Sequence, residues 1–540
     1  MKQSRHYGDF SLILSLTFIL LFSGSFSASA QHHDPKKSDQ KFAAALQIIR
    51  FAYVDTVNEE NLTEAAIEGM LKELDPHSTY MSKEEVEKAN EPLLGNFEGI
   101  GVQFEILKDT IIVVTPIPGG PSEKLGIMSG DKIVKIDGLD ATGPKINNEF
   151  VLSKLRGNKG TIVTVSIYRK RAKELIDFNI TRDKIPIFSV DAAYMAAPGV
   201  GYIKLNKFAA STMEEFNAAL AKLKGLGMSS LILDLQNNSG GYLNTAIDLA
   251  DEFLQAGKLE VYTEGFFSPK MENVATEKGE FEKGRLIILV NEGSASASEI
   301  LAGAVQDWDR GIIIGRRTFG KGLVQRPYSL PDGSVIRLTT AHYYTPTGRC
   351  VQKPYTEGVD KYYEDLTKRF EHGEYVNMDS IHFPDSLKYY TPNKRLVYGG
   401  GGIMPDIFIP LDTTRATDYY STLIRKGIIN EYTQKYLETN RESLKKQYAT
   451  ADEFCQKYII TTDFLNDFVA FADKEGVKKN EEDFAKSEKY LKNLLKARLA
   501  QTLFDFGAFW QVYNEADDVY NKALQVIQDK GTFKELKIND

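Results

Sequence analysis

The 540-residue chain is poor in the residues that most often announce a site: two cysteines, seven histidines and two tryptophans. Two cysteines, Cys350 and Cys455, cannot form a disulfide framework, and they fall in segments assigned below to different regions, so no pairing is expected. Neither H-E-x-x-H nor paired Cys and His ligands occur, so no metal site is predicted; His32 and His33 lie in the segment after the leader. No nucleotide-binding glycine motif and no G-x-S-x-G elbow is present. A net charge of -8 and a pI near 5.6 deny the chain the basic face that displaces counterions from nucleic acid. No apolar run reaches the length of a spanning helix. The one near the N-terminus, Leu12 to Phe22, is about half what is needed.

That short run lies between Lys2, Arg5 and His6 and the small residues Ala28-Ser29-Ala30, the three-part layout of a secretory signal. Cleavage after Ala30 and export, to a periplasmic destination, are the expectation. A helical N-terminal region then occupies residues 31–96, with apolar residues at helical spacing (Leu46, Ile49, Ala52; Leu62, Ala66, Met70) interrupted at Asp75-Pro76. His77, alone in the loop DPHSTYM, reads as structural. Residues 97–183 change to short strands (GIGVQFEI, TIIVVTPI, GDKIVKIDG, TIVTVSIYRK) with two short helices between them, a small α+β module.

From 184 to 412 strands and helices alternate. GVGYIKL, SSLILDL, RLIILV and GIIIG are apolar runs separated by amphipathic helices, which predicts a mainly parallel sheet flanked by helices, followed by the hairpin LVQRPYSL and SVIRLTTAHYY. Residues 413–540 are charged and helical, with Leu491, Leu494, Leu495, Leu499 and Leu503 as a core-facing stripe.

Ligands collect at the carboxyl ends of parallel strands, where helix N-termini point free N–H groups. Two such ends carry small-residue loops: QNNSGGY after SSLILDL, and NEGSAS after RLIILV. A serine nucleophile in the second loop needs a base. His342 is the one histidine on a core strand; the other route is a lysine whose charge burial suppresses by roughly 2 to 4 pKa units. Lys321, in RTFGKGLVQ among glycines and apolar residues, fits that description. Gln325, four residues on, orients the lysine if a compact turn brings the two together.

The ordered motifs NEGSASASEI, TFGKGLVQ, YYTPTGR (Tyr343 to Arg349) and GGGIMPDI (Gly400 to Ile407), with LDPHSTYMS upstream, resemble the C-terminal processing peptidases, or tail-specific proteases. The module at 97–183 resembles a PDZ domain. The resemblance implies an α/β fold, with a crotonase-like core and an inserted PDZ-like module. It also implies Ser296 as nucleophile, Lys321 as base, Gln325 in support, and an oxyanion hole from the N–H of Ala297 and of Gly240, favoured over Gly241. Gly99, Ile100, Gly101 and Val102 would take the carboxylate of a substrate tail, which adds as a strand. Partners would be proteins or peptides with exposed C-termini, without cofactor or nucleic acid; a homo-oligomer is compatible with this. One departure is DLQNNSGG, with Gln236 and Ser239 where the family usually carries arginine and proline. It supports an alternative, a non-catalytic peptide-binding scaffold of the same fold. A crotonase-like acyl-binding enzyme is a third and more remote reading.

Overall fold

The computed structural model describes residues 35–539 except 171 and 278, so the leader and His32-His33 lie outside the described residues. The chain forms two compact units that part after Ile67. The first carries the helix Pro35–Ala52 and the start of Glu59–Lys72; within it the guanidinium of Arg50 meets the Glu59 carboxylate at 2.6 Å.

The second unit is built on a six-stranded sheet ordered Val190–Ala197, Val200–Leu205, Ser230–Asp234, Leu286–Val290, Ile312–Gly315 and Ile407–Phe408. The first pair is antiparallel and the others are parallel. Side chains alternate across a strand, so an unbroken apolar run serves two faces. Ile203, Leu233 and Ile288 face the helices Thr212–Gly225, Leu243–Asp251 and Ala297–Asp307. Tyr202, Ile232 and Ile287 face the other way, where Val519, Tyr520, Ala523 and Phe533 of the last two helices cover them. The end of the helical tail is therefore the second layer of the core. The rest of the tail has its own core, which includes the predicted leucine stripe.

A second sheet stands beside the first. Val335–Tyr344 pairs with Leu323–Ser329, with Leu259–Gly265 and, through Thr79–Met81, with the segment after His77. The α+β module is a sheet with Val102–Leu107 at one edge and two short helices, Pro121–Lys124 and Asn148–Leu155. Among the described residues no helix is long and apolar enough to cross a membrane, and no cluster of three or more His, Cys, Asp or Glu side chains is placed to hold a metal. Cys350 and Cys455 are both free thiols.

Candidate active site

The two strand-end loops are tied to each other before any reacting group is considered. Asn238, fully buried, accepts at its backbone oxygen from Ala295 N and Ser298 Oγ, and its amide donates to Leu205 O. Asn291 receives the N–H of Asn237 and of Gly293 and donates back to Asn237 Oδ1.

These ties distinguish the three serines. Ser294 Oγ donates to Leu235 O at 2.8 Å, and Ser298 Oγ to Asn238 O at 2.8 Å; both side chains are wholly buried. The Ser296 hydroxyl donates no hydrogen bond among the described residues. Ser296 is partly exposed and caps the helix Ala297–Asp307 at φ 55° and ψ -111°, a sparsely populated conformation that costs a non-glycine residue about 1–3 kcal/mol and persists only where its surroundings hold it.

Its neighbour Glu299 does that holding. This carboxylate is fully buried; Oε2 accepts from Ser296 N and from Lys321 N, both at 2.9 Å, while Oε1 accepts from Gly320 N at 2.7 Å and Thr318 Oγ1 at 2.5 Å. Burial pushes the Glu299 carboxyl upward and the four donors pull it back. From the other side, the Tyr343 hydroxyl reaches the carbonyl oxygens of both Ser296 and Lys321. The serine loop and the lysine loop are thus clamped at N–H and C=O alike.

Burial, then the charge of Arg337, lowers Lys321 from 10.5 to about 8, against the opposing pull of Glu299 and Asp75. His342 takes no part. Its Nδ1 lies 3.9 Å from Cys350 Sγ, and no hydrogen bond joins it to Ser296. His77 lies nearer the chemistry than its lone loop position suggests: burial and then the charge of Lys321 depress it to about 4, and Nε2 meets Tyr362 Oη at 2.9 Å.

In the glycine loop one N–H is engaged within the loop itself. Gly240 N donates to Asn238 Oδ1 at 2.9 Å, whereas Gly241 N and Ala297 N have no acceptor among the described residues. A short polar side chain two residues back captures the first glycine's N–H and leaves the second's open. Gly240 is still required there: at φ 98°, its missing Cβ would stand 2.9 Å from both Ala297 N and Ser296 Cβ. Gln236 is partly buried and Ser239 exposed, so the two departures from the family loop lie on its outer side.

Gln325 is not bonded to Lys321. A bulge between Val324 and Gln325 shifts the register, and Nε2 donates to Thr339 Oγ1 at 3.2 Å. Beside the glycine loop a cavity of about 660 Å³ is lined by Tyr242, Leu243, Ile247, Val324 and Gln325. A larger one, about 1050 Å³, opens between Val102, the Val190–Ala197 strand and Phe504; of the candidate residues it touches Val102 alone.

In the loop before that edge strand, Ile100 O accepts from Ser122 N and Oγ, and Gly101 O accepts from Ile117 N. The carbonyls are thereby taken up, while the Ile100 and Gly101 N–H groups have no acceptor among the described residues.

Over 323 residues the chain is 37% identical to a "Carboxy-terminal-processing protease" of Bartonella bacilliformis, covering 58% of this chain and 72% of that one. The chain belongs to the carboxy-terminal-processing protease family. A "Probable CtpA-like serine protease" of Staphylococcus aureus is 36% identical over 323 residues, covering 58% of this chain and 64% of that one. Models of peptidase family S41 match residues 199–363, of a PDZ domain 99–180, and of the activating protease CtpB N-terminal domain 23–85, while 419–505 match a family of unknown function. The solved "Photosystem II D1 C-terminal processing protease" aligns over 68% of this chain and 92% of its own at 27% identity, with a TM-score of 0.35. The member described here is therefore a mixed α/β protein carrying a PDZ domain, with the buried clamp of Glu299 and Tyr343 inside the segment matched to peptidase family S41.

Proposed function

We propose that this chain is an exported serine endopeptidase that captures the C-terminal tail of a protein on its PDZ domain and cuts the chain with Ser296 and Lys321. The observation that carries this reading is the shared clamp on the two residues, together with a lysine near pKa 8. Neutral Lys321 takes the proton of Ser296 Oγ as that oxygen attacks the scissile carbonyl carbon. The N–H groups of Ala297 and Gly241 receive the oxyanion. Collapse breaks the C–N bond, the leaving amine takes the proton from Lys321, and water, deprotonated by the same lysine, releases the acyl group.

The boundaries that go with this function are a leader at 1–30, helical residues 31–96, a PDZ domain at 97–183, a crotonase-like catalytic core at 184–412 and a helical region at 413–540. Export rests on the leader sequence. Tail recognition rests on the open N–H groups of Ile100 and Gly101 and on the unpaired edge at Val102–Leu107, where an extended peptide adds as a strand. Capturing the tail raises the local concentration of the chain at the dyad, so selectivity resides mainly in the tail.

The test is digestion of an unstructured protein with an apolar C-terminal tail by the parent chain, by Ser296→Ala and by Lys321→Ala. Cutting by the parent and silence of both folded variants support the dyad. A parent that binds the tail and never cuts it supports the peptide-binding scaffold instead.

A further inference from the structure

In sequence the loop Asp75 to Ser78 reads as a helix-ending turn, yet in the fold it sits behind Gln325. Asp75 is 8% exposed and Ser78 5%. Oδ1 of Asp75 accepts from His77 N at 2.8 Å and Ser78 N at 2.9 Å, which closes the turn. The same carboxylate then does more than a turn requires. Oδ1 also accepts from Thr339 Oγ1 at 3.0 Å, Oδ2 accepts from Ser78 Oγ at 2.5 Å, and Ser78 Oγ accepts from Thr339 N at 3.0 Å. Thr339 is the residue that receives Gln325 Nε2.

We propose that Asp75 is a positioning residue for the catalytic lysine, acting through Thr339 to fix which end of the Gln325 amide faces the site. This rests on the reading of Ser296 and Lys321 given above. A threonine hydroxyl has one proton and a carboxylate accepts only. Once Thr339 donates to Asp75, its oxygen can only accept, so Gln325 must offer it the NH₂ end. The Gln325 carbonyl, which receives no donor among the described residues, is left to accept from Lys321 Nζ. The strand pairing Thr79 with Arg337 and Tyr80 with Ile336 locks the loop in register against the strand that carries Thr339.

The charge of Asp75 reaches the lysine as well as its geometry. Lys321 is faced by Glu299 from the helix, by Arg337 and the Tyr343 hydroxyl from the neighbouring strand, and by Asp75 and His77 from this loop. Asp75 and Glu299 favour the ammonium, and Arg337 opposes it. Removing the Asp75 charge therefore lowers the lysine further.

The experiment uses the full chain and the unstructured tailed substrate, with kcat, KM and the pH dependence of kcat/KM measured for Asp75→Ala, Thr339→Val, Gln325→Ala and the Asp75→Ala/Gln325→Ala double variant. In Asp75→Ala the Thr339 hydroxyl loses its acceptor and is free to turn its proton toward Gln325, turning the glutamine amide round. The expected result is a kcat about tenfold lower at unchanged KM, with the acid limb of the profile moved down by about half to one pH unit. The double variant is no slower than Gln325→Ala alone. Thr339→Val, which keeps the charge and cuts the relay, lowers kcat without moving the limb, and it decides the matter if Asp75→Ala does not fold. A Thr339→Val variant with parental kcat, a limb that stays in place in Asp75→Ala, or losses that multiply in the double variant each overturn the inference while leaving the dyad standing. Cutting that survives Ser296→Ala overturns the dyad itself and this inference with it.

Discussion

Ser296 and Lys321, 25 residues apart in the chain, donate their backbone N–H groups to the same oxygen of Glu299, each at 2.9 Å. A buried carboxylate that bridges the two loops fixes their separation more firmly than any contact between the side chains themselves could. Glu299→Gln keeps the shape but replaces one acceptor oxygen by a donor facing N–H groups. The expected outcome is a fall in kcat of about 10²-fold and a loss of about 1–3 kcal/mol on chemical denaturation, with tail binding unchanged.

The three serines are predicted to separate cleanly. Ser296→Ala removes activity and leaves the denaturation midpoint near the parent's. Ser294→Ala leaves the buried Asn291 N–H without its acceptor and costs about 1–3 kcal/mol, while Ser298→Ala removes one of the two donors to Asn238 O and costs about 0.5–1.5 kcal/mol; both retain activity at permissive temperature. Denaturant titration beside the digestion assay checks both halves.

Lys321 ties activity and stability to pH. As the proposed base it must be neutral, so kcat/KM is expected to rise as pH passes through about 8. Its folded value lies below the ordinary 10.5, so the unfolded chain binds the extra proton between about 8 and 10.5. The cost of burying the ammonium is therefore fully present below about 8 and relieved as pH rises through that window. Lys321→Met should be inactive yet more stable than the parent at pH 7, and the gain should shrink between pH 8 and 10.5 in parallel denaturation curves.

Recognition of the tail is predicted to depend on its terminal charge. Amidating the C-terminus of the substrate removes the carboxylate proposed to accept from the N–H groups of Ile100 and Gly101. KM should rise about tenfold or more, as expected for losing charge-assisted hydrogen bonds, with kcat little changed. A change confined to kcat would place the carboxylate at the dyad instead.

The buried pair Arg349 and Asp307 gives the YYTPTGR stretch a structural role without chemistry. The guanidinium, wholly buried, meets Asp307 Oδ1 at 2.6 and 3.0 Å and also donates to Gln306 Oε1 and Tyr398 O. Arg349→Ala leaves Asp307 charged and buried, and should cost about 3–5 kcal/mol.

What is legible in the sequence follows from periodicity. Apolar runs such as LIILV, followed by small residues and an amphipathic stretch, read directly as strand, loop and helix, which locates both strand ends of the site. Long-range hydrogen bonds leave no such pattern. The bond from Gly240 N to Asn238 Oδ1 is the exception, a two-residue Asx turn that the N-S-G stretch itself signals and that bears on the choice between Gly240 and Gly241. The spacing of Lys321 and Gln325 suggests a shared face, and a bulge at Val324 turns the amide to Thr339. His77 and Asp75 look like punctuation because their partners, Tyr362 and Thr339, are 285 and 264 residues away. The last two helices read as a separate tail because a sheet face does not announce which later segment will cover it.

The most direct measurement is the rate and site of modification by a serine-directed fluorophosphonate, read by peptide mass mapping across pH. One adduct is expected, on Ser296, forming faster as pH rises through about 8 and absent from Lys321→Ala. An adduct on another serine, or one that forms on Ser296 as quickly without Lys321, would contradict the dyad.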